Sequence, residues 1–265
     1  MLCLGVCVSA QTAPAAPAQN AAPLRPADKP SISLSPAVVM AKGSFGQGLT
    51  QTLYFTNQTG RDLTFELAAE DVIVKDGKRT FVPAGETPDS IAATAVFSQK
   101  AVLVKAYSSA AVDVRLTIPA HTNIRAVVAI FRGTDVLPSS NGAVGMTASL
   151  SALITFNLTD NVKLQPEAVR VTPASESANM TISQFIANTG TEPALPEGTA
   201  AVLNTGGSLV GKATFAPLRL LPGERLEFSA EYPGDLAPGS YRVLCSYQFE
   251  GKTLTSEGKF EVPKK

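Results

Sequence analysis

The sequence predicts an all-β chain of two tandem immunoglobulin-like antiparallel β-sandwiches, and three observations carry that prediction. From Ser31 onward apolar residues recur at every second position, which places them on one face of a pleated strand. Turn signals bearing Gly, Pro and Asn break these runs into short segments. The same order of runs and turns then occurs twice. Short alternating segments with frequent turns describe a sandwich. No segment carries the spacing of an amphipathic helix.

Residues 1–10, MLCLGVCVSA, read as a signal peptide. Val8 and Ala10 are small residues at the two specificity positions of a signal-peptidase site, so cleavage is expected after Ala10. Leu4-Gly5-Val6-Cys7 roughly imitates a lipidation box, but Val6 stands where Gly, Ala or Ser is expected. An ordinary cleaved leader is the better reading, and it places the chain in the periplasm or outside the cell. Residues 11–30, QTAPAAPAQNAAPLRPADKP, are Ala/Pro-rich and nearly uncharged, the composition of an extended tether. Cleavage removes Cys3 and Cys7 and leaves Cys245, so the exported chain is expected to hold no internal disulfide. Cys245 lies in an alternating segment and reads as a small buried apolar residue.

The first sandwich is expected over 31–160. Its strands include LTQTLYFTN (49–57), DLTFELAAE (62–70), AVDVRLTIP (111–119) and RAVVAIFRG (125–133). Turns fall at Asn57-Gln58-Thr59-Gly60, Lys75-Asp76-Gly77-Lys78 and Ser140-Asn141-Gly142. The Asp-Gly pair suits a tight hairpin because both residues accept positive φ. The clearest strand is GMTASLSALITFNLTD (145–160). Met146, Ala148, Leu150, Ala152, Ile154, Phe156 and Leu158 share one face, and Thr147, Ser149, Ser151, Leu153, Thr155, Asn157 and Thr159 the other. Leu153 alone breaks the alternation. One long strand with a dry face and a wet or hydroxyl-lined face is expected.

The second sandwich, 161–265, repeats the grammar. EAVRVTP (167–173) opens it, and ANMTISQFIANTG (178–190) ends in Asn188-Thr189-Gly190, an echo of Asn57 to Gly60. A hairpin turns at Asn204-Thr205-Gly206-Gly207, and LLPGERLEFSAEYP (220–233), LAPGSYRVLCSYQFEG (236–251) and TSEGKFEV (255–262) follow. The join at Asp160-Asn161-Val162-Lys163 is short, which predicts a restricted angle between the two units.

Composition removes several function classes. Lys+Arg 22 balance Asp+Glu 22 and the pI is near 6.6, which argues against a nucleic-acid binder. No apolar run approaches the roughly 18–20 residues of a membrane-spanning helix. No metal site, cofactor or catalytic residue is expected. His121 stands alone in a polar connection, and no acidic calcium-loop pattern occurs. Glu70 and Asp71 are adjacent in a strand and so point to opposite faces, poor geometry for acid–base cooperation. Gly43-Ser44-Phe45-Gly46-Gln47-Gly48 lacks the Lys and the helix a phosphate loop needs and reads as a turn between strands. The Asn-x-Thr tripeptides at Asn57, Asn157 and Asn179 read as chance matches. A carbohydrate-binding module normally offers aromatic platforms, and this chain has no Trp and five Tyr.

In order and texture the first unit resembles the N-terminal domain of periplasmic pilus-assembly chaperones. The likeness rests on SISLSPAVVMAKGSFGQGLTQTLYFTNQTGRDLTFEL (31–67), AVFSQKAVLVKAYSSAAVDVRLTIP (95–119), RAVVAIFRG, the 132–145 loop and the alternating strand at 146–158. The second unit is similar to immunoglobulin-like modules of bacterial envelope proteins, through its NTG turn and its LLPGE and LAPGSYRV segments. The resemblance implies strand addition, in which backbone hydrogen bonds bind a partner and alternate side chains enter its groove. The candidate residues are Leu150, Ala152, Ile154 and Phe156, and the implied partner is an exported protein subunit or envelope component. The family also holds a subunit's terminal carboxylate with an Arg in the first strand and a Lys in the last. Here SISLSPAVVM has no Arg, Lys42 follows it, and 145–160 has neither Lys nor Arg.

Two functions follow. The first is a chaperone-like, non-enzymatic binding protein that holds a fimbrial or other exported partner through an edge strand. The second is a structural or adhesive envelope protein with two sandwich spacers, its edges guarded by charges such as Lys100 and Lys105.

Overall fold

The computed structural model describes residues 31–134, 137–138, 145–174 and 179–263. The leader, the Ala/Pro tether and much of the 132–145 connection lie outside the described residues. The alternating segments form strands, and among the described residues the one helical element is the 3-10 turn Ala92–Thr94.

Twelve strands come from the first half: β1 Ile32–Ser35, β2 Val38–Lys42, β3 Gly48–Asn57, β4 Leu63–Lys75, β5 Lys78–Pro83, β6 Val96–Phe97, β7 Ala101–Val104, β8 Ser108–Thr117, β9 Ala126–Gly133, β10 Leu137–Pro138, β11 Gly145–Met146 and β12 Ser149–Asn157. One sheet runs β1-β3-β8-β6, and the facing sheet runs β2-β12-β9-β4-β5 with β7 also on β4. At Pro36, which lacks a ladder donor, the chain leaves β1 in one sheet and enters β2 in the other. The inner faces meet around Phe55, whose ring lies 4.1 Å from that of Phe65 and 5.8 Å from that of Phe131. Leu53, Val112, Val114 and Leu116 complete this core from β3 and β8. Asp76 and Gly77 both take positive φ, 53° and 74°, and close the β4–β5 hairpin as expected.

Eight strands come from the second half: β13 Leu164–Pro166, β14 Arg170–Thr172, β15 Met180–Asn188, β16 Glu197–Asn204, β17 Leu209–Phe215, β18 Arg225–Tyr232, β19 Gly239–Phe249 and β20 Lys252–Val262. β15 pairs with β18 on one side and with β13 and β14 on the other; the facing sheet runs β17-β16-β19-β20. Ile182, Ile186, Phe215, Phe228, Val243, Cys245 and Tyr247 fill the space between.

The echo between the two Asn turns is physical. Asn57 is fully buried; its amide donates to the carbonyls of Arg61, Val104 and Lys105, and its carbonyl oxygen accepts the Thr59 N–H. Asn188 repeats this, donating to Glu192 O and Leu220 O and accepting the Gly190 N–H. Each latch satisfies backbone groups of a turn that would otherwise be buried unpaired.

The long strand expected over 145–160 is divided. Gly145–Met146 pairs with β10, Thr147 and Ala148 fall outside both strands although Ala148 keeps one bond to β9 through its carbonyl, and β12 begins at Ser149. The expected wet face of β12 is covered around Leu153 and Thr155, while Ser149 and Ser151 stay exposed. Leu153 joins an apolar cluster with Val72, Val128 and Leu221, while Thr155 is fully buried and its hydroxyl accepts from Arg219 at 2.7 Å. The second sandwich covers this face, which is why Leu153 breaks the alternation.

Polar contacts fasten the two sandwiches together. Arg125, 7% exposed, donates through Nε to both oxygens of fully buried Glu192 at 3.1 Å. The same carboxylate accepts the Leu158 N–H and the Thr159 hydroxyl, each at 2.9 Å. Arg79 pairs with Glu224 at 2.7 Å and donates to Arg219 O. Removing one partner of a buried ion pair strands the other charge. Arg125→Met and Glu192→Gln should each cost about 3–5 kcal/mol in equilibrium urea unfolding, and the double variant should recover part of that loss. A cost below about 1 kcal/mol for both singles would contradict the burial of this pair.

Candidate partner-binding edge

β12 reaches its neighbours unequally. Phe156 N–H donates to Arg125 O at 2.9 Å, and Ala148 O accepts from Gly133 N–H at 2.8 Å. Antiparallel pairing alternates, so the backbone groups of even-numbered residues face β9 and those of odd-numbered residues face the other side. On that other side Leu153 N–H donates to Ala37 O, and β2 then runs parallel to Leu153–Asn157. Before Leu153, β2 has not begun. Among the described residues, the outward backbone groups of Ser149 and Ser151 therefore have no strand beside them. Both serines are exposed.

The four residues expected to enter a partner do share one face. That face is the sandwich's own interior: Ala152 and Ile154 are fully buried, Phe156 is 1% exposed, and Leu150 is partly buried against the same core. What the strand offers outward is the backbone of its first half, with Leu150 as the most accessible of the four side chains.

Arg219 was not marked by any sequence pattern. It sits in the connection between β17 and β18, and only the packing of the two sandwiches brings its guanidinium to Thr155 on β12. Its Nε is buried without a hydrogen-bond partner, and no carboxylate pairs with it among the described residues. Burial first, and the Arg79 charge second, lower its pKa from the ordinary arginine value. A cation from the second sandwich thus stands on the outer face of a strand that carries none of its own.

A cleft of about 420 Å³ opens nearby, lined by Lys42, Gly43, Asn157 to Asp160, Val162, Glu250 and Lys252. Lys42, the last residue of β2, lies 3.8 Å from Glu250, and Lys252 donates to Val162 O at 3.1 Å.

The remaining polar candidates have structural duties. Asp71 is fully buried and accepts from the hydroxyls of Thr87 and Ser90 and from the Ala92 N–H, holding the segment after β5 in place. Glu70 pairs with Arg132 on the other face. His121 is exposed, and Gly43 to Gly48 forms the turn from β2 to β3. Among the described residues no three His, Cys, Asp or Glu side chains cluster as metal ligands. No helix is long and apolar enough to cross a membrane.

No family model and no curated protein matches the chain. Solved structures to which it is similar include the class 5 fimbriae chaperone CfaA, at 14% identity over 88% of this chain and 100% of that one, with a TM-score of 0.46. Others are the CsuC–CsuE chaperone and tip-subunit pre-assembly complex of archaic chaperone-usher Csu pili from Acinetobacter baumannii (13%, 86% and 97%, 0.42) and the E. coli chaperone DraB (15%, 88% and 98%, 0.39). These likenesses are to pilus chaperones over most of the chain, and no residue role is transferred from them.

Two outcomes follow from the placement of buried groups. Phe156→Ala should cost about 3–5 kcal/mol of unfolding free energy, the loss of a core aromatic; a near-neutral result would mean the ring is not held in this core. Burial pushes the Cys245 thiol up to about 11. The folded state therefore holds its proton above the unfolded value of 9.0, and this contribution to stability, full below 9.0, is lost as pH rises through about 11. At pH 8, peptide mapping after thiol labelling should find Cys245 unmodified in native protein and modified once urea unfolds it. Rapid native labelling would contradict its burial.

Proposed function

We propose that this chain is a non-enzymatic, chaperone-like binding protein that holds a fimbrial or other exported partner in the periplasm by strand addition to the open half of β12. In this reading 31–160 and 161–265 are its two domains, and residues 1–30 are a cleaved leader and a tether. The single observation that carries it is the unpartnered backbone of Ser149 and Ser151, in line with the place where β2 later pairs. A partner strand laid there continues the sheet and gains backbone hydrogen bonds from groups that otherwise face water. Arg219 supports a partner with an acidic group on the outer face of that strand, since a desolvated cation gains most from a charge-assisted hydrogen bond.

The burial of Ala152, Ile154 and Phe156 changes how the reading is tested, because polar substitutions there attack the domain itself. Ser151→Pro removes one of the two outward N–H groups while leaving the core face intact, and Pro is tolerated on an edge strand. The full chain, tagged and purified from the periplasm of its native host, should bring a stoichiometric secreted protein that Ser151→Pro loses, with the variant's thermal unfolding unchanged. Arg219→Ala should weaken the same capture. A protein that purifies alone, or whose partner is indifferent to Ser151→Pro, overturns the reading. The ion-paired joint between the sandwiches would then favour a stiff envelope spacer.

A further inference from the structure

β20 is the outer strand of its sheet and pairs on one side only, with β19, over all eleven residues Lys252–Val262 and without a bulge. Glu250 and Gly251 both have positive φ and form a two-residue turn between Phe249 and Lys252. In such a hairpin the flanking pair exchanges hydrogen bonds, so even-numbered β20 residues bond to β19. The N–H and C=O groups of Thr253, Thr255, Glu257, Lys259 and Glu261 therefore point outward. None of them has a hydrogen-bond partner among the described residues. Long edges of this kind are normally interrupted by a bulge, a proline or an inward charge. β20 has no bulge and no proline before Pro263, and its one inward charge, Lys252, stands at its first residue; the inward positions after it are Leu254, Ser256, Gly258, Phe260 and Val262.

We propose that this edge pairs with the same edge of a second copy of the chain, antiparallel about a twofold axis at Gly258. The charges choose the copy, and charge together with the length of strand paired chooses the register. A twofold centre at Gly258 sets Glu257 opposite Lys259 of the second copy and, by symmetry, Lys259 opposite Glu257. Centres at Glu257 or Lys259 would set like charges against each other, a centre at Ser256 would leave both charges facing threonine, and a centre at Thr255 would set Glu257 opposite Thr253 and Lys259 opposite Gly251. A centre at Phe260 would set Lys259 opposite Glu261 but pair only Gly258–Val262, against Leu254–Val262 for the centre at Gly258. Within one chain Lys259 lies directly opposite Arg242, a repulsive pair, and Lys259 has no ion pair among the described residues. A second copy's Glu257, which in its own chain reaches Arg242 at 3.5 Å, supplies that missing counter-charge. The same register pairs Thr255 with Glu261, whose hydroxyl and carboxylate can hydrogen-bond, and Leu254 with Val262 on the inner face. At the axis, Gly258 has no side chain to obstruct the close approach of a non-hydrogen-bonded pair. Two four-stranded sheets thereby become one continuous sheet. This proposal is independent of the partner edge on β12.

Light scattering on the full chain over a concentration series should give a mass twice that of the monomer. Lys259→Glu and Glu257→Lys should each weaken dimerisation about tenfold or more, because two attractive pairs become two repulsive ones. The double variant Glu257→Lys/Lys259→Glu should restore the dimer. Hydrogen exchange should find the outward amides of β20 slowed in the dimer and fast in a single variant that remains folded by circular dichroism. A monomer at every concentration with fast outward amides overturns the proposal. So does a dimer that ignores both single substitutions, which would be built on another surface.

Discussion

The carboxylate of Glu192 fixes how the two sandwiches meet. Removed from water, it would cost several kcal/mol if left unpaired, and it is instead enclosed by the Arg125 guanidinium, the Leu158 amide and the Thr159 hydroxyl. Arg125 immediately precedes β9, and Leu158 and Thr159 immediately follow β12. One side chain from the second sandwich thus gathers the ends of two neighbouring strands in the first. Asn188, four residues earlier, binds the carbonyl of the same residue and ties it to Leu220. The connection after β17 is thereby held where Arg219 meets Thr155 and Leu221 meets Leu153. The outer face of β12 is therefore shaped in part by the second sandwich.

Much of the fold was legible because alternation and turn chemistry act locally. Asp76-Gly77 reads as a hairpin from two residues, and the recurrence of Asn57 and Asn188 marks equivalent turns from the sequence alone. Neighbours were not legible. Val38–Lys42 is short and follows a proline, and nothing in its sequence says that it leaves the sheet of β1 to run parallel to β12. The break at Thr147 and Ala148 was invisible because the alternation continues through it while the strand's partner changes from β10 to β9.

The candidate site was half legible for a related reason. Period-two spacing establishes that Leu150, Ala152, Ile154 and Phe156 share a face, but it cannot say which layer covers that face. Here β3 and β8 of the same chain do so. What the spacing could not express was the backbone, since an open edge is a property of missing neighbours. No sequence pattern marks Arg219 for the same reason: its significance comes from a strand sixty-four positions away.

The crossing at Pro36 has a consequence for size. Because β2 takes its place beside β12 only from Leu153, it acts as a stop: any visiting strand must end where Ala37 begins. The four residues from Ser149 to Ala152 span about 13 Å at an ordinary strand rise. The sheet thus carries its own ruler.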